Sequence, residues 1–149
     1  YARVRQHEQN ATLLAQLLDE HEAVAKVYYP GLAQHSGHDI ACRQQTGFGG
    51  MLSFELAGGE AAVAAFVAAL EHFSLAESLG GVESLVCHPP SMTHASVPPG
   101  ALAEAGIGPN LVRLSVGIEG SEDLVADVLQ ALAAAQDAGR CQRLSLVGR

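Results

Sequence analysis

The residue best placed for chemistry is Arg113, in the run Leu-Val-Arg-Leu-Ser-Val over 111–116. The run alternates as a strand does. Leu111, Arg113 and Ser115 fall on one face, and Val112, Leu114 and Val116 on the other. An arginine in mid-strand is costly to bury unless it is paired. Its planar guanidinium matches the two oxygens of a carboxylate. Two readings stay open on the chemistry alone: a salt bridge to one of the chain's own 16 acidic residues, or a clamp for a ligand carboxylate. Glu77 and Ser78 stand directly before Leu79-Gly80-Gly81. Glycines there permit positive φ and the close approach of a ligand. Backbone amides and a hydroxyl at such a turn can hold a carboxylate. Taken by itself, the stretch reads as a plain hairpin turn with a solvated glutamate.

Other reactive residues carry less. His35, His38 and Cys42 are spaced by three and four, so they could share a helix face. A metal centre needs three or four converging ligands and groups that orient them. The spacing alone reads as exposed histidines on a loosely helical connection, and no metal is expected. Cys87 and His88 are neighbours, and adjacent side chains rarely point at one another as a nucleophile and its base must. The only lysine, Lys26, lies in the middle of VAKVYY. The chain has no phosphate-binding glycine loop ending in Lys-Ser/Thr, no G-x-S-x-G and no Cys-x-x-Cys.

These residues need elements to hold them. Leu13, Leu14, Leu17 and Leu18 recur at helical spacing, which predicts a helix over 4–21. Residues 24–29 are β-branched and aromatic, a short strand closed by Pro30-Gly31. A short helix is expected over 35–45. A glycine-rich break then precedes MLSFEL over 51–56, which alternates like a half-buried strand. An alanine-rich helix over 60–72 opens with an acid. Leu75-Ala76 and residues 84–86 read as strand pieces around Gly80-Gly81. Four prolines keep 88–99 irregular. A helical turn over 101–105 is expected to stop at Gly106. Ser121 is expected to cap a last helix that ends near Ala135, with Glu122 and Asp123 in its first turn. Residues 139–149 read as a polar, basic tail that frays. No internal repeat or interior linker is visible. Helices set between few strands predict an α/β sandwich, one face of its sheet covered by helices.

Composition bounds the rest. At 149 residues and 15.5 kDa the chain is one domain's worth and can bury a core. A hydrophobic content of 48% excludes a disordered chain. Sixteen acidic against 8 basic residues give a net charge of −8, which argues against nucleic acid or a membrane surface as partner. Three tyrosines and no tryptophan offer no stacking surface for single strands. The most apolar stretch, 61–70, falls short of the ~20 residues of a membrane span. Cys42, Cys87 and Cys141 are odd in number and widely spaced, as expected of reduced thiols in a cytoplasmic protein. No signal or transit sequence is evident. A chain that opens on Tyr1 is expected to be a piece of something longer or a processed product.

Several strings stand in an informative order: SLAESLGGVESLVCHPPSMTHASVPP, then AGI, then NLVRLSVGIEGSEDLVADVLQAL. Together they resemble the C-terminal domain of the Cys/Met-metabolism enzymes that depend on pyridoxal phosphate. VYYPGL with a following histidine, and GFGGMLSFEL, are similar to further segments of that family in the same order. The resemblance runs from about residue 4 to residue 135, and several motifs in order specify more than any one of them. It implies the small C-terminal domain of a fold-type I pyridoxal-phosphate enzyme over 1–138, followed by a tail over 139–149. The implied fold class is α/β, with a short, mostly antiparallel sheet covered by helices.

The resemblance also assigns roles. Arg113 would grip the α-carboxylate of an amino-acid substrate, Ser78 would help hold it, and Thr93 would sit at the same pocket. That grip would turn the Cα–H bond toward the catalytic base. Glu77 stands where cystathionine-handling members typically carry glutamate, able to meet the distal ammonium. Methionine γ-lyases tend to be apolar there. The family's β-lyases carry an aromatic residue near SLGG, which this chain lacks. The stretch GALAE lacks a basic residue expected before AGI. The Schiff-base lysine belongs to a large N-terminal domain outside this chain, and Lys26 falls in a different motif. No catalytic residue is therefore expected here. Pyridoxal 5'-phosphate would be bound mainly by that other domain, and this chain alone would be inactive. The implied whole is a cytoplasmic, homotetrameric γ-synthase or γ-lyase of methionine and cysteine metabolism, acting at the γ-carbon of O-acylhomoserine or cystathionine. The alternatives are a methionine γ-lyase-like member, or a non-catalytic remnant that dimerises through exposed apolar surface.

Overall fold

A computed structural model describes residues 1–147, with side chains as far as residue 141. The elements are α1 (Ala2–Asp19), β1 (Val24–Tyr28), α2 (His38–Gln44), β2 (Met51–Leu56), α3 (Gly59–Ala69), β3 (Ser74–Leu75), β4 (Leu85–Cys87), a 3-10 turn (Pro89–Ser91), α4 (Pro99–Glu104), β5 (Leu111–Ser115) and α5 (Ser121–Val147). The five strands form one sheet in the order β1-β2-β5-β4-β3. Neighbours pair antiparallel, except that β3 runs parallel to β4.

The alternation in the sequence becomes the two faces of this sheet. Leu52, Phe54 and Leu56 of β2 and Val112 and Leu114 of β5 point into the core. There they meet Leu14 and Leu18 of α1, Phe66 of α3, and Leu124, Val128 and Leu132 of α5. The rings of Phe54 and Phe66 meet edge to face at 5.4 Å, the arrangement their quadrupoles favour. The opposite face is more polar. In register across it lie Tyr28, Ser53, Arg113 and Cys87, one from each of four strands.

Three expectations change. The last helix runs to Val147, straight through the stretch expected to fray. Packing carries it past the expected end near Ala135, where Ala131, Leu132, Ala135 and Gly139 remain buried at helical spacing. Gly139 lies against Gly58, with so little room that a Cβ there would come within 3.2 Å of the Gly58 Cα. Ser121 is the first residue of that helix, not its cap. The Gly120 carbonyl before it accepts the Leu124 N–H at 3.1 Å. The proline-rich stretch after β4 contains one regular turn, Pro89–Ser91, because proline is tolerated in the first turn of a helix.

Candidate functional site

Strand β5 carries Arg113 onto the polar face, opposite Ser53 on one side and Cys87 on the other. The guanidinium is half-buried. Its Nη2 donates to the carbonyl oxygens of Glu77 at 3.0 Å and Ser78 at 3.2 Å. Its Nε is buried and has no partner. Among the described residues no carboxylate pairs with it; the ion pair present joins Arg5 to Glu8, and the other carboxylate contact sets His72 Nδ1 4.0 Å from Asp127. A half-buried cation with an unused donor and no counter-charge is poised for an anion. A carboxylate suits its planar fork.

The loop over Arg113 is tied down along its length. Gly80 takes a φ of +77°, open to glycine at no steric cost, and its N–H donates to Ser115 Oγ at 2.8 Å. The Ile118 N–H donates to the Val82 carbonyl at 2.9 Å. Glu119 accepts the Ser84 N–H at 2.6 Å and the Ser84 hydroxyl at 2.9 Å, while Ser84 Oγ accepts the Gly117 N–H at 2.8 Å. The chain is so close at Gly117 that a Cβ would lie 2.4 Å from the Val82 carbonyl oxygen. From behind, Asn10 of α1 donates to the carbonyls of Gly117 at 3.1 Å and Glu119 at 3.0 Å. His7 bonds through Nδ1 to the Val116 carbonyl at 2.5 Å.

Of the expected residues, the structure brings Arg113, Glu77 and Ser78 together, but by a route the sequence did not suggest. The two loop residues touch the arginine with main-chain carbonyls, and both are exposed. Thr93 stands apart. Its hydroxyl meets His94 Nδ1 at 2.8 Å, and no hydrogen bond joins it to the other three. Ser84, Ser115 and Glu119 were not singled out. Only Ser115 left a signal, being on Arg113's side of the alternating run. Glu119 and Ser84 meet across two loops, where no periodicity reports a contact.

The remaining candidates resolve into local contacts. His38 Nδ1 meets the Pro30 carbonyl at 2.7 Å, and its Nε2 lies 3.4 Å from Cys42 Sγ. Among the described residues no group of three His, Cys, Asp or Glu is placed to hold a metal. Cys87 is buried, and both His88 ring nitrogens are engaged elsewhere, with Ser91 Oγ at 2.7 Å and the Pro109 carbonyl at 2.9 Å. Lys26 is exposed on the edge strand β1, its Nζ 4.6 Å above the Tyr28 ring. Strand β2 separates it from Arg113's strand. The residues around Arg113 thus fit a carboxylate. They do not fit the aldehyde of a pyridoxal cofactor, because no amine stands beside them.

A family model described as Cys/Met metabolism PLP-dependent enzyme matches residues 1–133. A Lactococcus lactis subsp. cremoris protein named cystathionine β-lyase is 55% identical over 130 residues, which are 87% of this chain and 34% of that protein. A cystathionine γ-synthase of Escherichia coli K12 is 51% identical over 121 residues, 81% of this chain and 31% of the other. The crystal structure of cystathionine γ-synthase from Xanthomonas oryzae pv. oryzae in complex with cystathionine superposes with a TM-score of 0.89 at 58% identity. That match covers 92% of this chain and 35% of the other. The chain spans about a third of the length of the relatives it matches.

Proposed function

The chain belongs to the Cys/Met metabolism PLP-dependent enzyme family, and from that premise we propose that it is the C-terminal, substrate-gripping part of a transsulfuration enzyme. The enzyme acts at the γ-carbon of O-acylhomoserine or cystathionine, as a γ-synthase or γ-lyase. The observation that carries this reading is Arg113, half-buried, steadied by two carbonyls and, among the described residues, without a carboxylate of its own. It takes the substrate α-carboxylate. The Ser78 hydroxyl, on the loop that Arg113 holds, assists, and the family resemblance puts Thr93 at the same pocket. The exposed Glu77 side chain meets the distal ammonium of cystathionine.

Pyridoxal phosphate supplies the electron sink for this chemistry, and it is held by the part of the enzyme outside this chain. The work of these residues is to bind and orient, so that one face of the substrate is presented to groups that come from elsewhere. The three free cysteines agree with a cytoplasmic location. The family resemblance points to a homotetramer and to a place in methionine or cysteine biosynthesis.

A second reading has its own support. The Lactococcus relative named cystathionine β-lyase matches this chain at 55%, beside 51% for the γ-synthase of E. coli. Overall identity therefore does not separate the two cleavages, and the missing aromatic residue near SLGG is the local argument against the β-lyase. The complete enzyme carrying this chain decides the matter when it is given each substrate. Cysteine joined to O-acylhomoserine marks a γ-synthase. Cysteine released from cystathionine marks a γ-lyase, and homocysteine with pyruvate marks a β-lyase. An enzyme that forms none of these products overturns the proposal.

A further inference from the structure

We propose that Ser115 is a positioning residue for the carboxylate grip, acting through the turn at 77–80 and not by touching substrate. This rests on the reading of Arg113 given above. Ser115 lies on the same face of β5 as Arg113, two residues along and so about 7 Å away. It is 2% exposed. Buried strand positions favour β-branched and aromatic residues, and a buried hydroxyl is costly without a partner. Packing does not demand a serine either, since Ser115 and Gly80 border a small cavity together with His7, Gly50 and Met51. What the serine supplies is an acceptor. Its Oγ takes the Gly80 N–H at 2.8 Å.

The consequence follows from geometry. The turn offers two carbonyls to Arg113 and one N–H to Ser115, so a single strand face holds it at two points. One attachment leaves a hinge, while two fix rotation as well as position. Both attachments bear on the arginine. Nη2 is committed to the carbonyls of Glu77 and Ser78, so any shift of the turn rotates the guanidinium and changes the angle it presents to a carboxylate. Ser115 thereby holds the angle at which Arg113 and the Ser78 hydroxyl meet the substrate.

The test uses the complete enzyme and two variants, S115A and R113K. Kinetics are measured with an amino-acid substrate and with the same substrate carrying a carboxamide in place of its α-carboxylate. S115A is expected to raise KM for the amino acid about fivefold, the effect of losing one part-buried hydrogen bond. Its kcat should change far less, and its KM for the carboxamide should match that of the unaltered enzyme. An unchanged KM in S115A, or an equal rise for acid and carboxamide, overturns the positioning role. R113K separates the two ideas. If R113K raises KM and S115A does not, only the role of Ser115 falls; if neither does, the reading of Arg113 falls with it.

Discussion

Glu77 has two separable parts. Its carbonyl steadies Arg113, and its carboxylate stands in solvent. Replacing the side chain leaves the carbonyl in place, so Glu77→Ala tests the charge without dismantling the grip. In the complete enzyme, KM for cystathionine should rise, by up to about fivefold if the pair with the distal ammonium behaves as an exposed ion pair. A γ-substituted substrate with no distal ammonium should bind as before, and equal losses for both would remove Glu77 as the selector. Arg113→Ala should act without such discrimination. It should raise KM for every amino-acid substrate, by about 2–5 kcal/mol if the ion pair is desolvated when formed; an unchanged KM would sink the assignment. The arginine was legible in the sequence because a charge inside an alternating apolar run is conspicuous. Glu119, which holds the far end of the same loop through Ser84, was not. An acidic residue after a strand looks like any solvated turn until the loop it bonds is folded against it.

Among the elements, the strands were read nearly residue for residue, since β2 buries every second side chain and β5 does so as far as Leu114. The length of α5 was misread because a glycine and a run of polar residues resemble a helix end, whereas Gly139 is there to let the helix pass Gly58. The same helix carries Asp127, which is 4% exposed and accepts the N–H groups of Glu71 at 2.8 Å and His72 at 2.9 Å, closing the turn that follows α3. Burial alone would push its carboxyl up. The amide hydrogen bonds and Gln130 more than offset this and hold it below the ordinary carboxylate range. A depressed pKa in the folded state means that the unfolded chain binds the proton more readily. The contribution of Asp127 is therefore present above about pH 4 and is lost as pH falls through the folded value. Asp127→Asn should lower unfolding stability near neutrality by about 1–3 kcal/mol. It should also flatten the loss of stability between about pH 5 and pH 3. Urea titrations across that range would show it, and a variant with the full acid dependence of the parent would place that dependence on other groups.

At the scale of the whole molecule, the decisive fact is what lies near Arg113 and what does not. Arg113 stands without a carboxylate partner among the described residues, yet the chain's one lysine sits exposed on an edge strand with β2 between it and the strand of Arg113. Around the loop that carries Glu77 and Ser78, Leu75, Leu79, Val82 and Ile118 are exposed by 58%, 55%, 48% and 41%. An apolar rim of this kind is normally covered, and the relatives are about three times as long as this chain. The proposed function implies a division of labour: these residues would orient, and the part outside this chain would supply the amine and the cofactor. The chain by itself should then treat pyridoxal phosphate as a bulk aldehyde. After borohydride reduction, the label should appear only on Lys26 and the terminal amine, should rise in proportion to reagent without saturating, and should remain on the terminal amine alone in Lys26→Ala. Neither O-acylhomoserine nor cystathionine should be consumed. Adding the lysine-bearing part of the enzyme should produce a saturable adduct on that part, and turnover that Arg113→Ala abolishes. Saturable labelling or turnover by this chain alone would mean that the cofactor has a site on it, and the division of labour would be wrong.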